Sequence, residues 1–322
     1  MHWTGEQRNR ILGHRPLIVI LGPTAVGKTG LAIKVGQGID GEIIGADSRQ
    51  IYQYMDIGTA KPTAQDRATL PHHLIDIIAP DDNLTLARYQ HMAYAAIDDC
   101  HTRGKIPLLV GGTGQYISAV TEGWSIPEVP PDDTIRADLE AFADEHGAVA
   151  LYERLIKVDP EAAEKIHPNN IRRVVRALEV RIVTGIPISE LQRKKPPPYA
   201  ILELGLTLER PYLYERADHR VDQMMVLGFV EEVKRLLAMG YPHTLPSMSG
   251  LGYAQIAAHL LDDLPLNEAI EQTKSATHDF IRRQYTWFRG HDNGIVWHNM
   301  VEHSEENFFL TIRNWLNGLD ED

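Results

Sequence analysis

Short apolar runs alternate along the chain with longer segments of helical periodicity. Turn residues bound the runs, which is typical of buried strands in a parallel sheet. We predict strands at Leu17–Leu21, Glu42–Ala46, Ile106–Val110, Ile201–Leu208 and Ile295–His298, with a further apolar run at Leu74–Ile78. This alternation favours an α/β fold with a parallel sheet.

The helical pattern is densest in the middle of the chain, where no strand is predicted. A linker with Pro127, Pro130 and Pro131 opens this region, and three consecutive prolines close it. We therefore divide the chain into a first core part at 1–122, an inserted all-helical module at 123–198 and a second core part at 199–322. Helices are predicted at 29–36, 84–103, 134–146, 148–158, 160–165, 170–184, 212–239 and 266–288, with a final acidic helix.

Composition sets broad limits on the protein. Of 322 residues, 43% are hydrophobic and 24% charged, which is ordinary for a soluble enzyme. The single cysteine, Cys100, excludes a disulfide framework and a cysteine zinc cluster. No apolar run approaches the roughly 20 residues that cross a bilayer, and the N-terminus lacks the apolar core of a secretion signal. We expect a cytoplasmic protein with no membrane contact.

The charge is distributed unevenly. The net charge of −12 argues weakly against a nucleic-acid partner. The first half of the module, Gly123–Glu164, carries 3 basic and 11 acidic residues, whereas Lys165–Lys195 carries 8 basic and 2 acidic ones. A basic helix face is typical of phosphate-backbone binding. The alternative is a solvated helix that pairs with the acidic half.

The strongest motif follows the first predicted strand and fits G-x-x-x-x-G-K-[ST]. Glycines at these positions let consecutive backbone N–H groups point at phosphate oxygens, and the next helix adds the positive end of its dipole. The lysine supplies an ammonium, and the threonine hydroxyl can bind Mg²⁺. The loop consists of Gly22, Pro23, Thr24, Ala25, Val26, Gly27, Lys28 and Thr29. It predicts binding of a diphosphate or triphosphate without specifying which.

Two further strand ends carry polar residues. Asp47 follows the second strand, at the sheet edge where open α/β proteins bind ligands, although it could instead cap a helix. The strand at Ile106–Val110 ends in Gly-Gly-Thr, with Thr113, and lacks the acidic residue that holds Mg²⁺ in a typical nucleoside triphosphatase. That absence lowers the expectation of ATP hydrolysis.

Six motifs taken together resemble those of the bacterial tRNA dimethylallyltransferases. They occur in the same order over nearly the whole chain, and the set is far more specific than the phosphate loop alone. The motifs are GPTAVGKT from Gly22, DSRQIY from Asp47, GTAKP from Gly58, GGTGQY from Gly111, RRVVRALEV from Arg172 and RQYTWFR from Arg283.

The resemblance implies a reaction. That family transfers a dimethylallyl group from its diphosphate to N6 of adenosine 37, beside the anticodon, in tRNAs that read codons beginning with U. Asp47 is then expected to accept the N6 proton, and Thr113 to lie at the same centre. Lys28, Thr24, Arg220 and Thr29 with Mg²⁺ are expected to stabilise the departing diphosphate.

The resemblance also implies a surface for the anticodon stem-loop of tRNA, bound by a monomer. The expected contacts are Asp47, Ser48, Arg49, Gln50, Thr113, Arg136, Arg172, Arg173, Val174, Val175, Arg176, Gly252, Tyr253, Arg282, Arg283, Gln284, Trp287 and Arg289. The chain departs from the family pattern at Gln115, Ser249, Ala254, His278 and Asp279. With the acidic total, these departures predict weaker or more salt-sensitive tRNA binding.

Three other functions fit parts of the sequence. A small-molecule kinase would explain the phosphate loop but not the basic helix. A nucleotide-switched RNA-binding protein would leave Asp47 and Thr113 without a role. A prenyltransferase acting on AMP would not need a basic insert.

Overall fold

The computed structural model describes residues 3–292, 294–301 and 305–321. The chain divides into two compact units. The first consists of Met1–Thr121 and Pro198–Asp322, and the second is the continuous stretch Glu122–Pro197. The sequence predicted the inserted module at 123–198. No helix in the described ranges is both long and apolar enough to span a membrane.

Within the described residues, the strands of the first unit form one six-stranded sheet in the order β3-β2-β4-β1-β5-β6. Every pairing is parallel, so the predicted α/β fold is confirmed. The strands are β1 Pro16–Leu21, β2 Gly41–Ala46, β3 His72–His73, β4 Ile106–Gly111, β5 Ala200–Thr207 and β6 Val296–Asn299.

Helices cover the sheet and make up the second unit. In chain order they are α1 Gly5–Gly13, α2 Lys28–Ile39, α3 Ala64–Thr69, α4 Leu86–Thr102, α5 Gly114–Thr121, α6 Asp133–His146, α7 Ala148–Val158, α8 Pro160–Lys165, α9 Ile171–Thr184, α10 Ile188–Leu191, α11 Arg210–Val226, α12 Phe229–Ala238, α13 Tyr253–Leu261, α14 Leu266–Gly290 and α15 Glu305–Glu321.

The sheet has an apolar core on each side. Along β1, Leu17 and Val19 pack into one core while Ile18 and Ile20 pack into the other, because successive strand side chains point to opposite faces. Burial on both faces explains why the central strands are continuous apolar runs in the sequence.

One predicted helix was wrong, for a local backbone reason. The single helix expected at 212–239 is two helices, α11 and α12, because Gly228 between them adopts φ +95°. The apolar run at Leu74–Ile78 is not a strand, since Leu74 and Asp76 have φ of 60° and 58°, and the neighbouring strand is His72–His73 instead.

The second unit has its own core, built from α6 to α10. Its two ends are hydrogen-bonded to each other: the N–H of Lys195 donates to the carbonyl of Gly123 at 2.7 Å, and that of Ser125 to the carbonyl of Arg193 at 2.7 Å. The insert therefore begins and ends at one place.

Candidate active site at the carboxyl edge of the sheet

The phosphate loop joins β1 to α2 in the middle of the sheet. Gly22 has φ +145°, and a Cβ there would lie 2.5 Å from the carbonyl oxygen of Leu206, so the position requires glycine. Helix α2 begins directly after Gly27 and has no side-chain cap. Its first N–H groups therefore remain available to an anion.

Lys28 is folded back onto its own loop. Its ammonium donates to the carbonyl oxygens of Gly22 at 2.9 Å and Pro23 at 2.7 Å. Burial lowers the pKa of Lys28 to about 7, with nearby Asp47 opposing this shift and Arg220 adding to it. The lysine therefore loses its proton far more readily than an exposed lysine does.

Asp47 and Thr113 meet because β2 and β4 are neighbours in the sheet. The Thr113 N–H donates to the carbonyl of Ala46 at 3.2 Å, and its hydroxyl oxygen accepts the N–H of Ser48 at 2.9 Å. Asp47 Oδ1 accepts the N–H groups of Arg49 at 2.8 Å and Gln50 at 3.4 Å. No helix begins at Asp47, so its side chain does not cap a helix as the alternative interpretation expected; it stabilises a turn. Its other oxygen, Oδ2, is bonded to no described residue.

Two arginines of α11 flank the loop. The Arg220 guanidinium lies 3.5 Å from the hydroxyl of Thr24, and Arg216 lies beside Gly27. Burial and the charge of Arg216 lower the pKa of Arg220 below its ordinary value. Among the described residues, neither arginine has a carboxylate partner. Two acidic residues of α11 instead pair with α14, Asp218 with His278 at 2.8 Å and Asp222 with Lys274 at 2.9 Å.

Arg216 was not predicted as a site residue. Its spacing of four from Arg220 places both on one helix face, and that spacing was the available signal. The loop and the two arginines together form a cationic site suited to a diphosphate.

A cavity of about 240 Å³ opens beside these groups. Its lining includes the polar residues Thr24, Asp47, Ser48 and Arg220. It also includes the apolar residues Ala217, Val221, Met224, Leu251 and Phe280. The cavity therefore suits a ligand with a phosphorylated head and a short hydrocarbon chain.

Helix α14 contributes residues in two different settings. Arg282, Arg283 and Arg289 are exposed, and Arg282 is ion-paired with Asp279. Gln284 is buried, and its amide connects the phosphate loop to the loop after β4. Trp287 is half-buried and stacks on His291, with ring centroids 4.3 Å apart.

The remaining predicted contacts of the first unit lie on loops and helix starts. Gly252 precedes α13, and Tyr253 is buried at its beginning. Ser249 accepts a hydrogen bond from the side chain of Arg49 at 3.3 Å. Gln115 and Ala254, two of the departures from the family pattern, are both exposed.

In the second unit, the basic residues of α9 differ in their surroundings. Arg172 and Arg173 are exposed, and their side chains bond to no described residue. Arg176 and Arg136 both pair with buried Glu179, at 2.7 and 2.8 Å. The side chains of Val174 and Val175 lie in the core of the unit.

Glu179 is the centre of this ion-pair cluster. Burial alone would raise its pKa, but hydrogen bonds from Arg136, the Asp132 N–H and Arg176 keep the pKa below its ordinary value. Its carboxylate is therefore held ionised inside the unit, and two of the predicted basic contacts serve as its partners.

The fold and the site are those of a P-loop protein that binds a phosphorylated ligand at the carboxyl edge of a parallel sheet. Residues 50–291 match the family described as IPP transferase. The chain belongs to that family, which confirms the resemblance seen in the sequence.

Similar proteins agree with this assignment. A tRNA dimethylallyltransferase of Roseiflexus castenholzii is 56% identical over 85% of this chain and 90% of its own. One from Dehalococcoides mccartyi is 49% identical over 94% of this chain and 93% of its own.

Two solved structures share the fold. A tRNA isopentenylpyrophosphate transferase of Bacillus halodurans is 39% identical, with a TM-score of 0.71 over 95% of this chain and 97% of that one. A eukaryotic dimethylallyltransferase acting on tRNA is 29% identical, with a TM-score of 0.78 over 93% of this chain and 77% of that one.

Proposed function

We propose that this chain is a tRNA dimethylallyltransferase that moves the dimethylallyl group of dimethylallyl diphosphate to N6 of adenosine 37, in tRNAs reading codons that begin with U. The observation that carries the proposal is the cavity in which the Asp47 carboxylate, the cationic phosphate loop and an apolar wall meet. The relatives named as tRNA dimethylallyltransferases support it.

The diphosphate binds the phosphate loop, the N-terminus of α2, Lys28 and the α11 arginines. The attraction between these cationic and N–H groups and the leaving oxygen strengthens as negative charge builds on that oxygen. They therefore stabilise the transition state more than the ground state. The apolar wall receives the five-carbon chain and limits access of water to the reactive carbon.

The adenosine N6 is a weak nucleophile, because its lone pair is delocalised into the ring. It forms a bond to the allylic carbon while the carbon–oxygen bond breaks, and the diphosphate leaves with the electron pair. Asp47 Oδ2 accepts the N6 proton. The base must leave its stack to reach this carboxylate, which costs least in a single-stranded loop.

The site also suits Mg²⁺. The Thr29 hydroxyl, at the start of α2, bonds to no described residue, so a hard oxygen ligand of the kind that Mg²⁺ prefers is available. A bound Mg²⁺ would neutralise charge on the diphosphate.

We further propose that the enzyme acts as a monomer in the cytoplasm.

Labelled dimethylallyl diphosphate, offered with unmodified tRNA, with AMP and alone, tests the proposal, with ATP hydrolysis measured in parallel. We expect label only in tRNA, at adenosine 37, and no appreciable ATP turnover. Label in AMP alone would favour the nucleotide prenyltransferase, and ATP turnover without prenyl transfer would favour the kinase. A tRNA whose adenosine 37 is replaced by guanosine is the matched control.

A further inference from the structure

Glu232, in the first turn of α12, is a buried carboxylate with an unusual set of partners. It is 1% exposed. Its Oε2 accepts the backbone N–H groups of Asp56 at 3.0 Å and Ile57 at 2.8 Å. Its Oε1 accepts the N–H of Gly58 at 3.1 Å and the hydroxyl of Tyr253 at 2.7 Å. One side chain therefore binds three consecutive amides of a loop that belongs to another part of the fold.

The held loop continues directly into the wall of the active-site cavity. Gly58, Thr59 and Ala60 line that cavity, as Asp47 does. The side chain of Gln50 donates to the carbonyls of Thr59 and Ala60, each at 3.2 Å. The backbone N–H of Gln50 in turn donates to Asp47 at 3.4 Å. Hydrogen bonds and the short backbone segments between them thus connect Glu232 with the proposed base.

Gly58 of this loop packs closely against two aromatic rings. A Cβ on Gly58 would overlap the rings of both Phe229 and Tyr253, which lie edge to face at 4.9 Å. If the carboxylate were removed, three amide N–H groups in partly buried hydrogen bonds would lose their partner, which is costly. The loop would then shift or open rather than stay in place.

We infer that Glu232 is a positioning residue that sets the cavity wall and, through Gln50, the orientation of Asp47 toward the acceptor base. This inference rests on the proposed function for its catalytic consequence. A displacement of about 1 Å at a reacting group can lower the rate by about 10²-fold. The phosphate loop is held separately, so binding of the prenyl diphosphate should not depend on Glu232.

The test compares Glu232→Gln with Glu231→Gln. Glu231 is the matched control, because it is the preceding residue of α12 and its exposed side chain pairs with Lys234 and with no other described residue. For Glu232→Gln we expect single-turnover prenylation at saturating tRNA to fall by about 10- to 100-fold, with prenyl diphosphate affinity unchanged. Glu231→Gln should match the wild type in both. Tyr253→Phe removes the hydroxyl that donates to Glu232 and leaves the three amides paired. Its single-turnover rate should therefore lie between those of Glu232→Gln and Glu231→Gln. This variant replaces Glu232→Gln in the test if Glu232→Gln does not fold.

Amide hydrogen exchange provides a readout that does not need the reaction. The amides of Asp56, Ile57 and Gly58 should exchange at least about tenfold faster in Glu232→Gln than in Glu231→Gln, since their acceptor is weakened. Unchanged exchange would overturn the inference whatever the activity. Faster exchange with a wild-type single-turnover rate would also overturn it. A wild-type protein that prenylates no tRNA would instead refute the proposed function, and the exchange result would still decide whether Glu232 holds the loop.

Discussion

Gln284 accepts the backbone N–H of Thr24 through its side-chain oxygen, at 2.9 Å. The nitrogen of the same amide donates to the carbonyl of Gly112 at 2.8 Å. Both polar atoms of this buried side chain are therefore used inside the first unit. The resemblance implied a tRNA contact here, whereas the geometry gives the side chain a role in shaping the phosphate loop.

Gln284→Ala should destabilise the protein by about 1–3 kcal/mol, because the Thr24 N–H loses its partner. It should also weaken prenyl diphosphate binding, since the loop is less well ordered. Urea unfolding and a diphosphate titration measure the two effects. Gln272→Ala, an exposed glutamine on the same helix, is the control. Loss of tRNA affinity alone, at wild-type stability, would return Gln284 to the tRNA surface.

Asp47 should be indispensable for the chemical step. Asp47→Asn keeps an oxygen that can accept the N–H of Arg49, so the turn should persist while the base is lost. We expect single-turnover prenylation to fall by about 10²- to 10⁴-fold in both Asp47→Asn and Asp47→Ala, with little change in prenyl diphosphate affinity. Melting curves should show a loss of stability only for Asp47→Ala. Near-normal transfer by Asp47→Asn would show that Asp47 is structural.

Lys28 should make diphosphate binding depend on pH. Its pKa is lowered to about 7. Without ligand, the Lys28 amine is therefore protonated below pH 7 and loses its positive charge as the pH rises. An anionic ligand favours the charged form, and binding above pH 7 should therefore take up a proton. The dissociation constant should rise by up to about tenfold per pH unit between pH 7 and 9.

Calorimetry at fixed Mg²⁺, in buffers of different ionisation enthalpy, measures this proton uptake. Lys28→Arg is the control, because arginine stays protonated throughout that range and should give a flat profile. A flat profile for the wild type would contradict the prediction.

The sequence predicted one role for Arg173 and Arg176, and the structure separates them. Arg173→Ala should weaken tRNA binding and reduce the salt slope by about one unit, at unchanged stability. Arg176→Ala should chiefly destabilise the second unit, because it removes a partner of buried Glu179, a loss that can reach about 3 kcal/mol. Filter binding across salt and thermal melting distinguish the two. Equal tRNA effects without destabilisation of Arg176→Ala would contradict this division.

The core and its catalytic edge could be predicted because short-range signals determine them. An apolar run followed by glycines specifies the strand and phosphate loop at Leu17–Thr29, and parallel strands bring Asp47 and Thr113 to one edge. The roles of Gln284 and Glu232 could not be predicted, because they depend on tertiary contacts. The role of Gln284 follows from a partner 260 residues away, and that of Glu232 from a loop 174 to 176 residues earlier.

The positions at which helices begin and end were predicted less well than the presence of the helices. Gly228 lies within a pattern that favours one long helix, and its positive φ became apparent only in the folded chain. Charge patterning likewise indicated a basic face but could not show that Arg176 and Arg136 are engaged by Glu179.

The joined ends of the second unit have a consequence for how the protein can change. Because Gly123 and Lys195 are hydrogen-bonded neighbours, a turn of a few residues could replace the whole insert without stretching the chain that returns to β5. Genetic deletion, exchange or enlargement of this segment would leave the strand order of the sheet intact. The length and sequence of the insert can therefore vary in evolution independently of the phosphate loop and of the strands that carry Asp47 and Thr113.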